Sequence, residues 1–319
     1  MTAATMSRSL SPALLRRDRV RWTDLAWLVW RQHRVLITVT TLGVAIVAAL
    51  LWWDAADVGH SHAYQLVDLL LVPAAAGLVG VFWGAPLLAG EYEQRTHLVV
   101  WAQDVSPTRW FVAKLTILGG TAVALGAILG AADSALTDAL NSTGLPYSDV
   151  YSRWGRVGFE SWIPLQIMYA LFGFVLGAAV STLVRRTVLS IGLTAVLFAG
   201  ARFAVAAWRP VFLPPLRLAV PPTGLFYGPI PGGLQLDFGQ TVDAAGHPMA
   251  MPMQCYNTTT YTWDVACARA HGAVATNVTY QPASRLLPFH LIEFGIFAVL
   301  TAALVTFAVL RLRANRVTA

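Results

Sequence analysis

The sequence predicts an all-α polytopic membrane protein: six transmembrane helices, with a small irregular or β-containing extracellular cap between the fifth and the sixth. Three observations lead there. Of 319 residues, 56% are hydrophobic and only 12% are charged, against about 25% charged in soluble domains. Mean hydropathy is +0.59. The apolar residues gather in blocks of about 20 or more, each long enough for a helix to cross a hydrocarbon core of roughly 30 Å. The same composition excludes disorder, and two Cys are too few for a disulfide-framework miniprotein.

Residues 1–34 read as a cytoplasmic N-terminal segment. Leu10–Trp30 mixes Leu, Val and Trp with Arg16, Arg17, Arg19 and Arg21. An amphipathic helix here would lie in the interface with its arginines on anionic head groups, which makes membrane lipid the first partner. Flanking charge plus an aromatic belt is the plainer alternative. A cleavable signal peptide is not expected, because the apolar core comes late and no small-residue cleavage site follows it.

Residues 35–207 hold five spans: Val35–Trp53, Leu66–Ala89, Phe111–Ala132, Pro164–Val184 and Thr187–Ala207, the last interrupted by Arg202. Residues 288–319 hold the sixth, Pro288–Leu310, and a basic cytoplasmic tail. Basic residues set the orientation. With the N-terminus inside, Arg8 to Arg34, Arg95, Arg109, Lys114, Arg185, Arg186, Arg311, Arg313 and Arg316 all fall on the inner face, whereas the short outer loops carry only Arg153 and Arg156. Both termini are therefore expected in the cytoplasm, in a cell-membrane protein. The net charge of +6 and the pI near 9.7 follow from that topology and call for no nucleic acid.

Residues 208–287 form one long outer segment. Pro210, Pro214, Pro215, Pro221, Pro222, Pro229 and Pro231 rule out continuous helix in its first third. Cys255–Thr262 and Thr276–Tyr280 look strand-like. Cys255 and Cys267 both lie here, on the oxidising side, so a disulfide is expected. So few aliphatics would leave this cap marginal alone, and it should rest on the outer helix ends.

Several chemistries are missing. The sole lysine, Lys114, follows Ala113 and no Gly-rich loop precedes it, so the chain holds no P-loop. There is no His-Glu-x-x-His and no Gly-x-Ser-x-Gly, which removes the nucleus of a metalloprotease or a serine hydrolase. His60 and His62 read as solvated loop residues, so no metal is assigned. No series of carboxylates runs deep in the spans, as a proton- or sodium-driven pump would need. An energy source would have to sit on another polypeptide.

Between spans two and three lies Gly90-Glu91-Tyr92-Glu93-Gln94-Arg95-Thr96-His97, then Trp101-Ala102-Gln103-Asp104-Val105-Ser106-Pro107-Thr108-Arg109-Trp110, and Lys114. Glu91 and Arg95 stand four apart, acid first, as a helical ion pair prefers. Pro107 is well placed to begin the next helix. An ordinary interfacial hairpin would read the same way. The stretch Phe82–Lys114, however, resembles permeases of type-2 ABC transporters (ABC-2 family) of the kind found in high-GC Gram-positive bacteria. It shares their Glu-x-x-Thr run, Trp-x-Gln-x-Val-Ser-x-x-Arg-Trp and downstream Lys. Tyr280–Arg285 with Pro288, Phe289 and Glu293 is similar to the approach to their last span. Arg95 stands where that family often has Gly, and His290 where Gln is common.

The resemblance implies a type V exporter-like fold and a half-transporter. A second permease chain would complete the path, as homodimer or related heterodimer. Two copies of a separate ABC ATPase would carry ATP and Mg, with no cofactor bound by this chain. Residues 90–110 would be the ATPase-coupling element, through Glu91, Glu93, Arg95, Thr96, Trp101, Gln103, Ser106 and Arg109. Arg202 and Glu293 fall at matched depth on neighbouring spans, about 7–8 Å below the outer boundary at 1.5 Å per residue. They either pair or face a cavity, or else reach the surface separately. The leading expectation is thus an exporter permease for an amphipathic drug, peptide or lipid-like molecule, without enzyme activity of its own. The runner-up is a non-transporting sensor or immunity component whose cap binds a ligand.

Overall fold

The computed structural model describes residues 20–58, 72–95, 106–143, 152–221, 232–237, 239–250, 253–258 and 262–314. The chain is mainly helical. Helix α1 is Trp22–Ala56, α2 Val72–Val79, α3 Pro86–Glu93, α4 Pro107–Ser142, α5 Arg156–Glu160, α6 Ile163–Leu183, α7 Thr187–Trp208, α8 Val265–Ala270 and α9 Leu286–Ala314. Among the described residues, α1, α4, α6, α7 and α9 are long and apolar enough to cross a membrane. The protein is a multi-pass membrane protein.

Two helices outrun the expected spans. At 1.5 Å per residue, the 35 residues of α1 and 36 of α4 reach about 53 Å, well past a hydrocarbon core of roughly 30 Å. Helix α1 passes through position 34 without a break, so its tryptophan-rich start and its span are one rod. At its head Asp24 accepts a hydrogen bond from the Arg21 N–H at 3.2 Å. Leu25 and Val29 pack with Trp110 at the start of α4, while Ala48 and Leu51 pack with Ala132, Leu136 and Leu140 near its end. The two helices therefore run side by side in the same direction. The end where both begin is called proximal, the opposite end distal.

The second expected span, Leu66–Ala89, has residues 66–71 outside the described set. Its remainder is helical in three pieces, α2 and α3 being joined by a π-helical turn at Gly80–Gly84. Helix α6, the most enclosed of the long helices, explains that turn. A Cβ built on Gly177 would stand 2.3 Å from the Gly80 carbonyl oxygen and 2.6 Å from the Ala85 nitrogen. Only hydrogen fits where the two backbones cross. Gly126 and Gly130 bring α4 onto the other side of α6, near Gln166 and Ala170. Gly126-x-x-x-Gly130 and Gly173-x-x-x-Gly177 are thus intramolecular packing sites.

Between α7 and α9 the chain forms a four-stranded sheet. Strand β6 (Ala275–Gln281) is its centre, antiparallel to β1 (Leu216–Val220) on one side and to β2 (Leu234–Gln235) and β3 (Gln240–Val242) on the other. A hairpin of β4 (Tyr256–Asn257) and β5 (Thr262–Trp263) leads into α8. Cys255 and Cys267 form the disulfide, with Cα atoms 5.5 Å apart. Closing so short a loop stabilises by about 3 kcal/mol in the chain-entropy account. The sheet rests on the distal helix ends. Buried Gln281 donates to the Pro210 and Leu213 carbonyls at 3.2 and 2.8 Å, and the Trp154 indole donates to the Gly232 carbonyl at 2.9 Å.

Candidate functional site: two buried ionic clusters

Among the described residues, buried ion pairs collect in two places, one at each end of the bundle. The proximal cluster starts from Glu91, in the last turn of α3, and Lys114, two turns into α4. Lys114 Nζ donates to Glu91 Oε1 at 2.5 Å and to the Leu87 carbonyl at 3.3 Å. The Trp110 indole N–H donates to both Glu91 oxygens, at 3.1 and 3.3 Å, and the ammonium lies 4.8 Å from the Trp110 ring centre. Lys114 is 0% exposed. A charge so enclosed is stable only with its counter-ion and hydrogen bonds in place.

The expected Glu91–Arg95 helical pair is replaced by this one. Helix α3 ends at Glu93, Arg95 adopts φ 57° beyond it, and Glu91 turns inward to the lysine. The positive φ also explains why glycine suits that position. Glu93, exposed, accepts from the Thr187 N–H at 3.1 Å and the Thr187 hydroxyl at 2.6 Å. It thereby serves one of the unpaired donors at the start of α7. Ser106 Oγ accepts from the Arg109 N–H at 3.2 Å, with Pro107 opening α4 as expected. Arg109 Nη2 donates to the Val20 carbonyl, and its guanidinium lies 5.2 Å from the Trp22 ring centre. Thr96, Trp101 and Gln103 lie outside the described residues. Glu91, Glu93, Ser106 and Arg109 are thus brought to one end, each tied to a different partner.

The distal cluster corrects the expected Arg202–Glu293 pair. Glu293 on α9 is bound by Arg209, Nε to Oε2 at 2.9 Å and Nη2 to Oε1 at 3.1 Å, and by the Tyr169 hydroxyl at 2.6 Å. Arg202 Nη2 donates instead to Glu160 Oε2. Arg209 also reaches Glu160 Oε1 at 3.4 Å, which links the two pairs into one chain. Matched depth alone could not reveal this, because Arg209 stands two residues beyond Ala207 and Glu160 just ahead of the fourth span. Their signal was adjacency: each is a charge flanking an apolar run. Tyr169, inside such a run, gave none. Arg202 lies across the Tyr169 ring, 3.3 Å from its centre, and Arg209 is 3.9 Å from that of Phe159. Two acids and two arginines, all nearly enclosed, balance in charge. His290, where a glutamine had been the commoner choice, keeps a polar contact, with Nε2 3.0 Å from the Phe159 carbonyl oxygen.

Cys255, Cys267 and His271 also lie together, but the disulfide leaves no thiolate to hold a metal. Neither cluster offers a nucleophile poised against a base. Both are built to join helices.

A family model described as ABC-2 membrane transporter related matches residues 54–209. No curated protein and no solved structure matches the chain.

Proposed function

Residues 54–209 match the family described as ABC-2 membrane transporter related, and from that premise we propose that the chain is an ABC-2 permease, the membrane-spanning subunit of an ATP-driven exporter. It has six spans, the segmented helix ending at Glu93 supplying the second, and both termini lie in the cytoplasm. Two such chains, or this chain and a related one, enclose the path. Two copies of a separate ATPase bind ATP and Mg and dock on the 90–110 connection, so that hydrolysis belongs to the partner. The cargo is an amphipathic drug, peptide or lipid-like molecule moved outward, and the sheet caps the path outside.

The observation that carries this reading is the anchoring of both ends of that connection. Glu93 holds the start of α7, Arg109 holds the start of α1, and the Glu91–Lys114 pair clamps the arms between them. A push from below moves helices as rigid elements. The test uses Glu93→Ala and Arg109→Ala in complex with the ATPase. Cargo-stimulated ATP hydrolysis should fall to the basal rate while the complex still assembles. Unchanged export-coupled hydrolysis in both variants overturns the proposal.

A further inference from the structure

At the proximal end, the starts of α1 and α4 and the end of α9 border an open cleft of about 500 Å³, lined by Trp22, Ser106, Thr108, Arg109, Val112 and Arg313. That volume lies within the roughly 300–1,000 Å³ of small-ligand sites. Two arginines line it, and among the described residues no carboxylate does. Among the described residues Arg313 makes no hydrogen bond or ion pair, and the buried Thr108 hydroxyl has no partner. Arg109 spends one N–H on the Val20 carbonyl. Asp24, the acid nearest on α1, is engaged with the Arg21 N–H.

Depth says what comes near. Trp30 and Trp52 are both exposed on α1, and 1.5 Å per residue separates them by about 33 Å, close to the hydrocarbon thickness of roughly 30 Å. Exposed tryptophans mark the two membrane–water boundaries. Trp22 lies eight residues before Trp30, about 12 Å further along the axis, at the level of the polar head groups. Val112 and the half-exposed Trp22 give the cleft apolar lining, and Leu310, three residues before Arg313 on α9, is exposed.

We propose that this cleft binds the phosphate of an anionic phospholipid head group, Arg109 and Arg313 gripping its oxygens, Thr108 donating a hydrogen bond, and Trp22 and Val112 facing the glycerol and upper chains. Guanidinium forks match phosphate geometry better than any other side chain. The cleft shares Arg109 with the proposed coupling connection, so its lipid occupancy is read through Arg313 and Thr108, which that proposal does not use.

Full-length protein is reconstituted in phosphatidylcholine nanodiscs with a minor fraction of phosphatidylglycerol, and retained lipid is counted by native mass spectrometry. One phosphatidylglycerol per chain should be retained in preference to phosphatidylcholine. Arg313→Gln should weaken that retention about ten-fold, the size of one charge-assisted hydrogen bond, and Thr108→Ala by less. Arg217→Gln, an exposed arginine on β1, should leave it unchanged. Inorganic phosphate is titrated in a second arm. Displacement of the lipid by phosphate supports the shared chemistry, whereas phosphate binding with no lipid preference overturns the lipid source. Equal retention in Arg313→Gln and wild type overturns the site, as does a loss confined to assembly with the ATPase, which would make the cleft a protein contact.

Discussion

Removing Lys114 alone should damage this protein far more than removing Lys114 and Glu91 together. Lys114→Met leaves the Glu91 carboxylate enclosed, with the Trp110 indole but without the ammonium that stood 2.5 Å away. Glu91→Leu leaves the ammonium against the Leu87 carbonyl at 3.3 Å with no counter-ion. Stripping one partner from a buried pair costs about 3–5 kcal/mol, whereas replacing both by apolar groups of similar volume is often neutral or better. The double variant Glu91→Leu/Lys114→Met should therefore lie within about 1 kcal/mol of wild type, giving a coupling at or above the 0.5–3 kcal/mol usual for residues in contact. Equilibrium unfolding in mixed micelles, followed by tryptophan fluorescence and helical circular dichroism, closes the cycle. Single changes that each cost under about 1 kcal/mol, or a double change that costs their sum, would refute the coupled pair.

Three further outcomes follow from the geometry. Gly177→Ala should destabilise by about 1–3 kcal/mol or more, since its Cβ meets backbone at 2.3 Å, whereas Gly192→Ala, with nothing within 4 Å, should be neutral or gain up to about 1 kcal/mol from helix propensity; thermal melts in detergent separate the two. In double-mutant cycles at the distal cluster, Arg209/Glu293 should show a larger coupling than Arg202/Glu293, and the reverse order would contradict the observed pairing. Asp237 lies between β2 and β3, where burial would raise its pKa, but hydrogen bonds from Thr279 and the Gly239 N–H, with the charge of Arg217, outweigh that and hold it below the usual value. Its stabilising contribution is thus complete above the ordinary carboxylate pKa of about 3.9 and is lost as pH falls through the lower folded value. Asp237→Asn should flatten the acid limb of sheet unfolding, as read by protease cutting between β2 and β3; an unaltered limb refutes it.

What a linear pattern could and could not convey differs by element. The limits of α6 and α7 were legible to within a residue or so, because Pro164 and the Arg185–Arg186 pair punctuate the apolar runs on either side. The start of α4 was legible from Ser106 and Pro107. The reach of α1 and α4 beyond the bilayer was not, since hydropathy stops at the lipid boundary while backbone hydrogen bonding does not. Strand β1 was hidden by its flanking prolines, although Leu216, Leu218 and Val220 alternate with period two. Among the site residues, depth along a helix was legible but azimuth was not. Glu91 faces inward to Lys114 and Arg202 faces Glu160 because of how the helices turn about their axes, and nothing in one dimension records that. The disulfide was legible because only two cysteines exist and both lie in one segment.

The joint at Gln281 has a mechanical consequence. Strand β6 ends there and the turn into α9 begins two residues later, with Arg285 Nη1 donating back to Gln281 Oε1 at 2.8 Å. No slack separates the sheet from the last helix, and the same glutamine is fastened to the carbonyls where α7 leaves the bundle. The sheet is therefore a pointer mounted on a tilting shaft. A few degrees of rocking by α9 sweep its rim through an arc, and a dye on that rim would read the motion of the bundle from the water.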